Sequence, residues 1–273
     1  MLVFGLTFIF CCAVASFFAI KKNEKIALFV QMSGVLLFAI SIVVLWITLQ
    51  RPPFKTMGET RIWYSFFLSV LGGITYWQWR MSGLLTFTNF LASLFVVINI
   101  LKPEVHSKVL MPALQSVWFI PHVAIYMFAY AVIGCAFVLG VLELFSSKKN
   151  MQKISSNTCN TPCEKSLQSL RLDTLVTLGT VALGIGMCLG SIWAKKAWGQ
   201  YWSWDIKETA ALITWAIFVL YLHLQNLKKI NRKILLLIVI IGFLSMNFTW
   251  YGVKFLPVAK KSPHTFYSSK PEK

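Results

Sequence analysis

Charged side chains are scarce in this 273-residue sequence: they make up 13% of it, and only nine are acidic. A water-soluble domain of this length needs far more charged surface, so that class is excluded. The 57% hydrophobic content and mean hydropathy of +0.68 point instead to a membrane protein. Histidine is also rare, at four residues. Of the six cysteines, Cys11, Cys12, Cys135 and Cys188 fall inside apolar stretches and read as small hydrophobes. Cys159 and Cys163 form a C-x3-C pair in a polar stretch. That spacing is not a redox C-x-x-C, and with no histidine nearby it makes a poor zinc site, so free thiols are expected. The sequence also has no internal repeat and no nucleophile-and-base constellation of a conventional enzyme. The apolar segment beginning at Met1 lacks a basic n-region and is expected to remain as a helix.

The net charge of +17 does not indicate nucleic acid. The basic residues stand in short runs between apolar segments, such as Lys21-Lys22, Lys148-Lys149, Lys228-Lys229 and Lys260-Lys261, as lipid headgroups favour. A basic fold interleaved with aromatics is missing.

Apolar stretches of about the 20 residues needed to span a bilayer run near 2–20, 26–49, 62–79, 84–101, 117–144, 173–193, 206–226 and 234–252. The expected fold class is therefore all-α: a polytopic integral membrane bundle of about eight transmembrane helices, forming a single membrane domain over residues 1–273. Pro52-Pro53, Pro103, Pro112 and Pro257 fall in the connections, where a missing backbone donor is tolerated. The longest connection, 145–172, is rich in Ser, Asn and Lys and is expected as a polar cytoplasmic loop. The Lys and Arg residues divide evenly between the two sides, thirteen of 26 on each. The compactly basic connections KKNEK and KKINRK, on one side, assign that side to the cytoplasm and put both termini outside.

One segment stands apart. The run from Trp193 to Trp215 reads WAKKAWGQYWSWDIKETAALITW, with Trp193, Trp198, Trp202, Trp204 and Tyr201 inside its first twelve residues. Aromatic residues gather at membrane interfaces, but such a belt does not need this density in one loop. Aromatic faces packed around a flat apolar ligand would also explain it, and composition alone leaves the two readings open. Asp205 and Glu208 have the spacing of a capping box for a helix starting at Ile206. Lys207 either pairs with a carboxylate of a ligand or is a routine membrane-edge lysine.

His223 lies seventeen positions beyond Ile206, roughly 25 Å further along the helix. Opposed ligands of one metal ion stand only about 4 Å apart, so His223 cannot share a metal with a ligand beside the Trp-rich loop; if both bind, there are two positions. Beside Tyr221 and Gln225, His223 by itself reads first as a hydrogen-bonded interfacial residue and only second as a ligand. His122 follows Pro121 at the edge of a long apolar span, and His264 follows the last span. His106, beside Glu104, reads as solvated, and Glu143 as a residue reaching the interface from the end of its span.

The run WGQYWSWDIKET resembles the tryptophan-rich WWD signature of the cytochrome c assembly family, and its WD-x-K-E-T continuation is similar to that of the CcsA/ResC-type proteins within it. Ile206 stands where that family commonly has Pro. LMPALQSVWFIPH, ending at His122, resembles the family segment with the first external heme-ligand histidine, and YLH, ending at His223, its intramembrane histidine. KKSPHTFYS is aligned with the second external histidine through His264, and RPPFKTMGETRIWYS resembles an early external loop.

The resemblance implies a heme-handling subunit of a two-component cytochrome c synthase in the bacterial inner membrane. Residues 193–208 would form a heme-binding loop facing the periplasm, with Trp198, Trp202, Trp204 and Asp205 around b-type heme carried as substrate. His122 and His264 would ligate its iron outside, and His223 would ligate an inner heme. An inner bis-histidine site needs a second imidazole, which implies a CcsB/ResB-type partner beside apocytochrome c and the lipid bilayer. Two other functions remain: a CcmC-type heme-delivery protein, and a polytopic transporter or scaffold that binds no heme and shows no Soret band.

Overall fold

The computed structural model describes residues 2–101, 116–153, 162–227 and 230–257. Eight α-helices account for most of them: α1 (Leu2–Ile20), α2 (Glu24–Leu49), α3 (Met57–Trp79), α4 (Ser82–Leu101), α5 (Phe119–Lys153), α6 (Pro162–Trp198), α7 (Ile206–Gln225) and α8 (Arg232–Asn247). A π-helical turn, Phe248–Gly252, and a 3-10 turn, Val253–Phe255, follow α8. In lipid, backbone polar groups have no water to bond, so a segment that crosses must satisfy them internally, as a helix does. Large apolar side chains are correspondingly turned outward, Phe10, Phe29 and Ile47 among them.

Seven of the eight helices are long and apolar enough to cross a membrane. The other, α3, has the length, 23 residues, but Glu59, Arg61, Trp63, Gln78 and Trp79 dilute its hydropathy. Its composition follows from its place, for thirteen of those residues are buried. A helix that faces protein need not be apolar all round.

The helices around the expected 145–172 loop run further than hydropathy indicates. α5 continues to Lys153 and α6 starts at Pro162, so most of that polar stretch is helical and only 154–161 lie outside the described residues. Hydropathy tracks burial, whereas extending an established helix through Ser, Lys, Asn and Gln costs little.

The chain divides into two compact units, Met1–Val138 and Leu139–Lys273. In the first, α1 packs on α2 and α4, and α3 packs on α2 and α4, which closes a ring of four helices. Its centre is polar. The Gln31 and Asn89 amides exchange two hydrogen bonds, Gln31 Nε2 to Asn89 Oδ1 at 3.1 Å and Asn89 Nδ2 to Gln31 Oε1 at 2.8 Å. Gln31 also donates to Ser69 Oγ, and Asn89 to Ser16 Oγ and the Cys12 carbonyl. The network takes one or more partners from each of α1 to α4, and Gln31, Ser69 and Asn89 are buried.

In the second unit α7 packs between α6 and α8. A Cβ at Gly242 of α8 would stand 2.6 Å from the Phe218 ring of α7, so only glycine permits this approach. At one end Arg232 of α8 donates to Glu143 of α5 at 2.9 and 3.2 Å and to Asp173 of α6 at 2.9 Å. Tyr221 of α7 donates to the same Asp173. Glu143 was expected merely to reach the interface; it is instead part of an ion cluster joining four helices.

Candidate functional site

The Trp-rich segment is shorter as a loop than 193–208. Trp193 and Trp198 lie on the last turns of α6, which stops because Gly199 takes a left-handed φ of 82°. Lys195 reinforces that end, its ammonium donating to the Gly199 carbonyl at 2.8 Å and lying 5.4 Å from the centre of the Tyr201 ring. The loop proper is residues 199–205, and α7 begins at Ile206.

Asp205 and Glu208 form the capping box that their spacing predicts. An Asp205 carboxylate oxygen accepts from Lys207 N at 3.2 Å, and Glu208 Oε2 accepts from Asp205 N at 3.3 Å. The sequence did not reveal the reach of Glu208. The same oxygen accepts from Ser203 N at 2.9 Å and Ser203 Oγ at 3.2 Å, so one carboxylate gathers the loop onto the helix start. The signal was present in the Ser at position 203, five residues before Glu208, but that spacing matches no standard cap.

The aromatic side chains form two edge-on pairs. Trp193 and Trp198 have ring centroids 4.7 Å apart at the end of α6, and Trp202 and Trp204 stand 5.9 Å apart in the loop. Trp204 takes a φ of 57°, a left-handed conformation that a large side chain rarely adopts. It is 72% exposed and Tyr201 58% exposed. Trp202 is the inner member of its pair, with its Nε1 buried and unpartnered. A strained backbone that displays one indole, and an orphaned N–H on the next, are features of a surface shaped for something other than its own packing. The Lys207 ammonium has no hydrogen-bonded or ion-paired partner among the described residues.

His223 lies near the far end of α7, an uninterrupted helix, about 25 Å of helical rise from Asp205. Its Nδ1 lies 2.9 Å from the Val219 carbonyl, one turn back, and the side chain is exposed. With Nδ1–H bonded to that carbonyl, Nε2 would be the nitrogen available as an acceptor. An apolar groove of about 520 Å³ runs between α6 and α7, lined by Gly184, Cys188, Trp215, Val219 and Leu222 among others. Those α7 positions fall between the Trp-rich loop and His223.

His122 belongs to the first unit, in the opening turn of α5 directly after Pro121, where a missing N–H costs nothing. It is half-buried, and its ring lies edge-on to Tyr126 with centroids 4.9 Å apart. His264 and His106 lie outside the described residues. Trp202, Trp204 and Asp205 are thus brought together, Trp198 closes the helix before them, and His223 stands at the opposite end of α7. Among the described residues no three His, Cys, Asp or Glu side chains cluster to hold a metal ion.

Comparison with known proteins agrees with this architecture. Residues 2–259 match the family described as cytochrome c assembly protein. The cytochrome c biogenesis protein CcsA of Cuscuta exaltata is 31% identical over 247 residues, 82% of this chain and 80% of the relative. That of Panax ginseng is 30% identical over 282 residues, 90% of this chain and 86% of the relative. Among solved structures, the cytochrome c heme lyase CcmF superposes with a TM-score of 0.66 at 13% identity, a likeness of fold. The match covers 92% of this chain and 44% of that one. Eight helices, a capped Trp-rich turn and a match that spans nearly the full sequence lead to one conclusion: the chain belongs to the cytochrome c assembly protein family.

Proposed function

We propose that this protein is the heme-handling subunit of a two-component cytochrome c synthase, which carries b-type heme across the membrane and presents it for attachment to apocytochrome c. The observation that carries the proposal is the layout of α7. One end is capped by Asp205 and Glu208 beside the displayed Trp204 and the inner Trp202, and the other bears His223. A flat apolar molecule with one metal and two carboxylates suits both ends. Indole faces take the ring. The unpaired Lys207 takes a carboxylate. His223 Nε2 takes the metal at the far position.

The apolar groove between α6 and α7 ends beside His223 at Leu222 and supports an apolar ligand next to that position. The protein's part is positioning: binding, orientation and exclusion of water, with the bond-forming chemistry residing in heme and the client's thiols.

In this reading Trp198, Trp202, Trp204 and Asp205 shape the outer site, with His122 and His264 as its axial ligands. The histidine assignments rest on the resemblance and on the number of crossings. A single inner histidine leaves one axial position for a CcsB/ResB-type partner in the same bilayer. The membrane in this proposal is the bacterial inner membrane, with the Trp-rich loop in the periplasm. Reporters fused after Ser147 and after Lys273 then report opposite sides, and reporters active on the same side overturn the topology.

Two variants test the heme positions together. His223→Ala removes the inner heme and starves the outer site. Trp202→Ala/Trp204→Ala lets heme reach the inner position and stall there. Visible spectra of the partner-containing complex, purified from each, distinguish the two, while both lose mature cytochrome c. If His223→Ala keeps full heme loading and normal maturation, the inner site is refuted and His223 is a hydrogen-bonded interfacial residue.

A further inference from the structure

The connection between α2 and α3, residues 50–56, and the first turns of α3 carry three cations and a single acid: Arg51, Lys55, Arg61 and Glu59. The acid is fully committed. Glu59 is 0% exposed; its Oε1 accepts from Arg51 Nη2 at 2.8 Å. Its Oε2 accepts from Arg51 Nη1 at 3.0 Å, Lys55 N at 2.7 Å and Thr56 N at 3.2 Å. Glu59 therefore neutralises Arg51, and three donors crowd its Oε2.

Arg61 is left with nothing of that kind. It is 7% exposed, and its hydrogen bond runs from Nε to the Met57 carbonyl one turn back, at 3.0 Å. No carboxylate pairs with it among the described residues. The contrast with Arg51, Arg80 and Arg232 is sharp, since each of these holds a carboxylate and each is more exposed. The Arg61 stem is enclosed while its two Nη atoms keep access to the surface, so an unpaired charge faces outward from a packed side chain. Lys55 adds to the imbalance: burial, and then the Arg51 charge, hold its ammonium below the ordinary lysine range. The surroundings are rigid, because Trp63 stacks on Phe54 at 4.4 Å and donates from Nε1 to the Pro53 carbonyl at 2.8 Å. The start of α3 adds the partial positive charge of a helix N-terminus.

We propose that Arg61, supported by Lys55, is an oxyanion-binding site at the α2–α3 end of the first unit. The ligand chemistry is a phosphate or carboxylate on an amphiphile, carried either by an anionic lipid headgroup or by a porphyrin side chain. The lipid source is favoured by the outward-facing Trp46 and Ile47 at the same end of α2, along which an acyl chain can lie. The site does not depend on the heme positions proposed above.

The test uses the full chain in nanodiscs, followed by its unfolding midpoint and by ligand titration. In phosphatidylcholine alone, Arg61→Gln is expected to unfold at a higher temperature than the wild type, because an unpaired charge has been removed. Adding phosphatidylglycerol stabilises the wild type, and much less so Arg61→Gln, if the source is lipid. In a second arm, hemin binds the wild type more tightly than its dimethyl ester does if the source is a porphyrin carboxylate. Whichever preference the wild type shows, Arg61→Gln should weaken it roughly tenfold (about 1.4 kcal/mol). Arg61→Lys should keep most of it, and Lys55→Gln should lose part. The proposal is overturned if the wild type shows neither preference, if Arg61→Gln keeps the one shown, or if that variant is less stable than wild type in phosphatidylcholine.

Discussion

Glu208→Ala removes, in one substitution, every side-chain acceptor that holds Ser203 and the Asp205 backbone at the start of α7. Three hydrogen bonds are lost, from Ser203 N, Ser203 Oγ and Asp205 N, all to the same carboxylate oxygen. A capping interaction is worth about 1 kcal/mol. Each bond from Ser203 adds roughly 0.5–1 kcal/mol, the value of an ordinary hydrogen bond, because exposure to water removes the advantage of a charged acceptor. The local loss is then about 2–3 kcal/mol, and since about 1.4 kcal/mol is a factor of ten, the amides of Ser203 and Asp205 should exchange roughly 30- to 150-fold faster. Glu208→Gln keeps an acceptor oxygen without its charge and should show an intermediate increase. Hydrogen–deuterium exchange of peptides covering 200–209 reads the effect directly, with peptides from the middle of α7 as the internal control. An increase below about threefold at those amides in Glu208→Ala would mean that the loop is held by aromatic packing, and the role assigned to the carboxylate would be wrong.

Four further outcomes follow from the packing. Gly242→Ala should destabilise by about 1–3 kcal/mol through the clash with Phe218, and Phe218→Leu in the same chain should recover much of the loss; thermal unfolding of both variants measures it. Gln31→Leu should cost about 1–2 kcal/mol by orphaning Asn89, whereas Gln31→Leu/Asn89→Leu should lie closer to wild type. Arg232→Met leaves Glu143 and Asp173 facing each other and should cost about 3 kcal/mol or more, while adding Glu143→Gln and Asp173→Asn should restore most of it. Gly199→Ala places a side chain at a φ of 82° and should cost about 1 kcal/mol, seen as faster exchange over the last turn of α6 rather than as global unfolding.

The elements carried entirely by local chemistry were legible in the sequence. Eight apolar stretches became eight helices, and Asp205 with Glu208 became a capping box, because both depend on residues within one turn of each other or on composition. The extent of α5 and α6 was not legible, since the hydropathy of Ser, Asn and Lys says where burial ends and not where the helix ends. The polar centre of the first unit was hidden for another reason. Gln31, Ser69 and Asn89 look like isolated blemishes in apolar stretches until the helices are brought together. Glu143 was misjudged on the same ground, as its partner Arg232 is 89 residues away. In the candidate site, the density of Trp was plain, but the left-handed Trp204 was not. That backbone state reflects the geometry the loop must close, between Gly199 and the start of α7, and the identity of residue 204 argues against it.

The amide pair at the centre of the first unit also bears on the order of assembly. Gln31 is synthesised 38 residues before Ser69 and 58 before Asn89, the two side chains that complete its hydrogen bonds. During that interval α2 has to enter the bilayer with an amide that has no partner of its own, a state that costs free energy in hydrocarbon. Neither α1 nor α2 can reach its final packing until α4 emerges and Asn89 arrives. The polar centre of the four-helix ring is therefore complete in its hydrogen bonding only once α4 is present. A chain shortened between Ser69 and Asn89 would keep the Gln31 amide donating to Ser69 but leave its carbonyl oxygen without the donor that completes the unit.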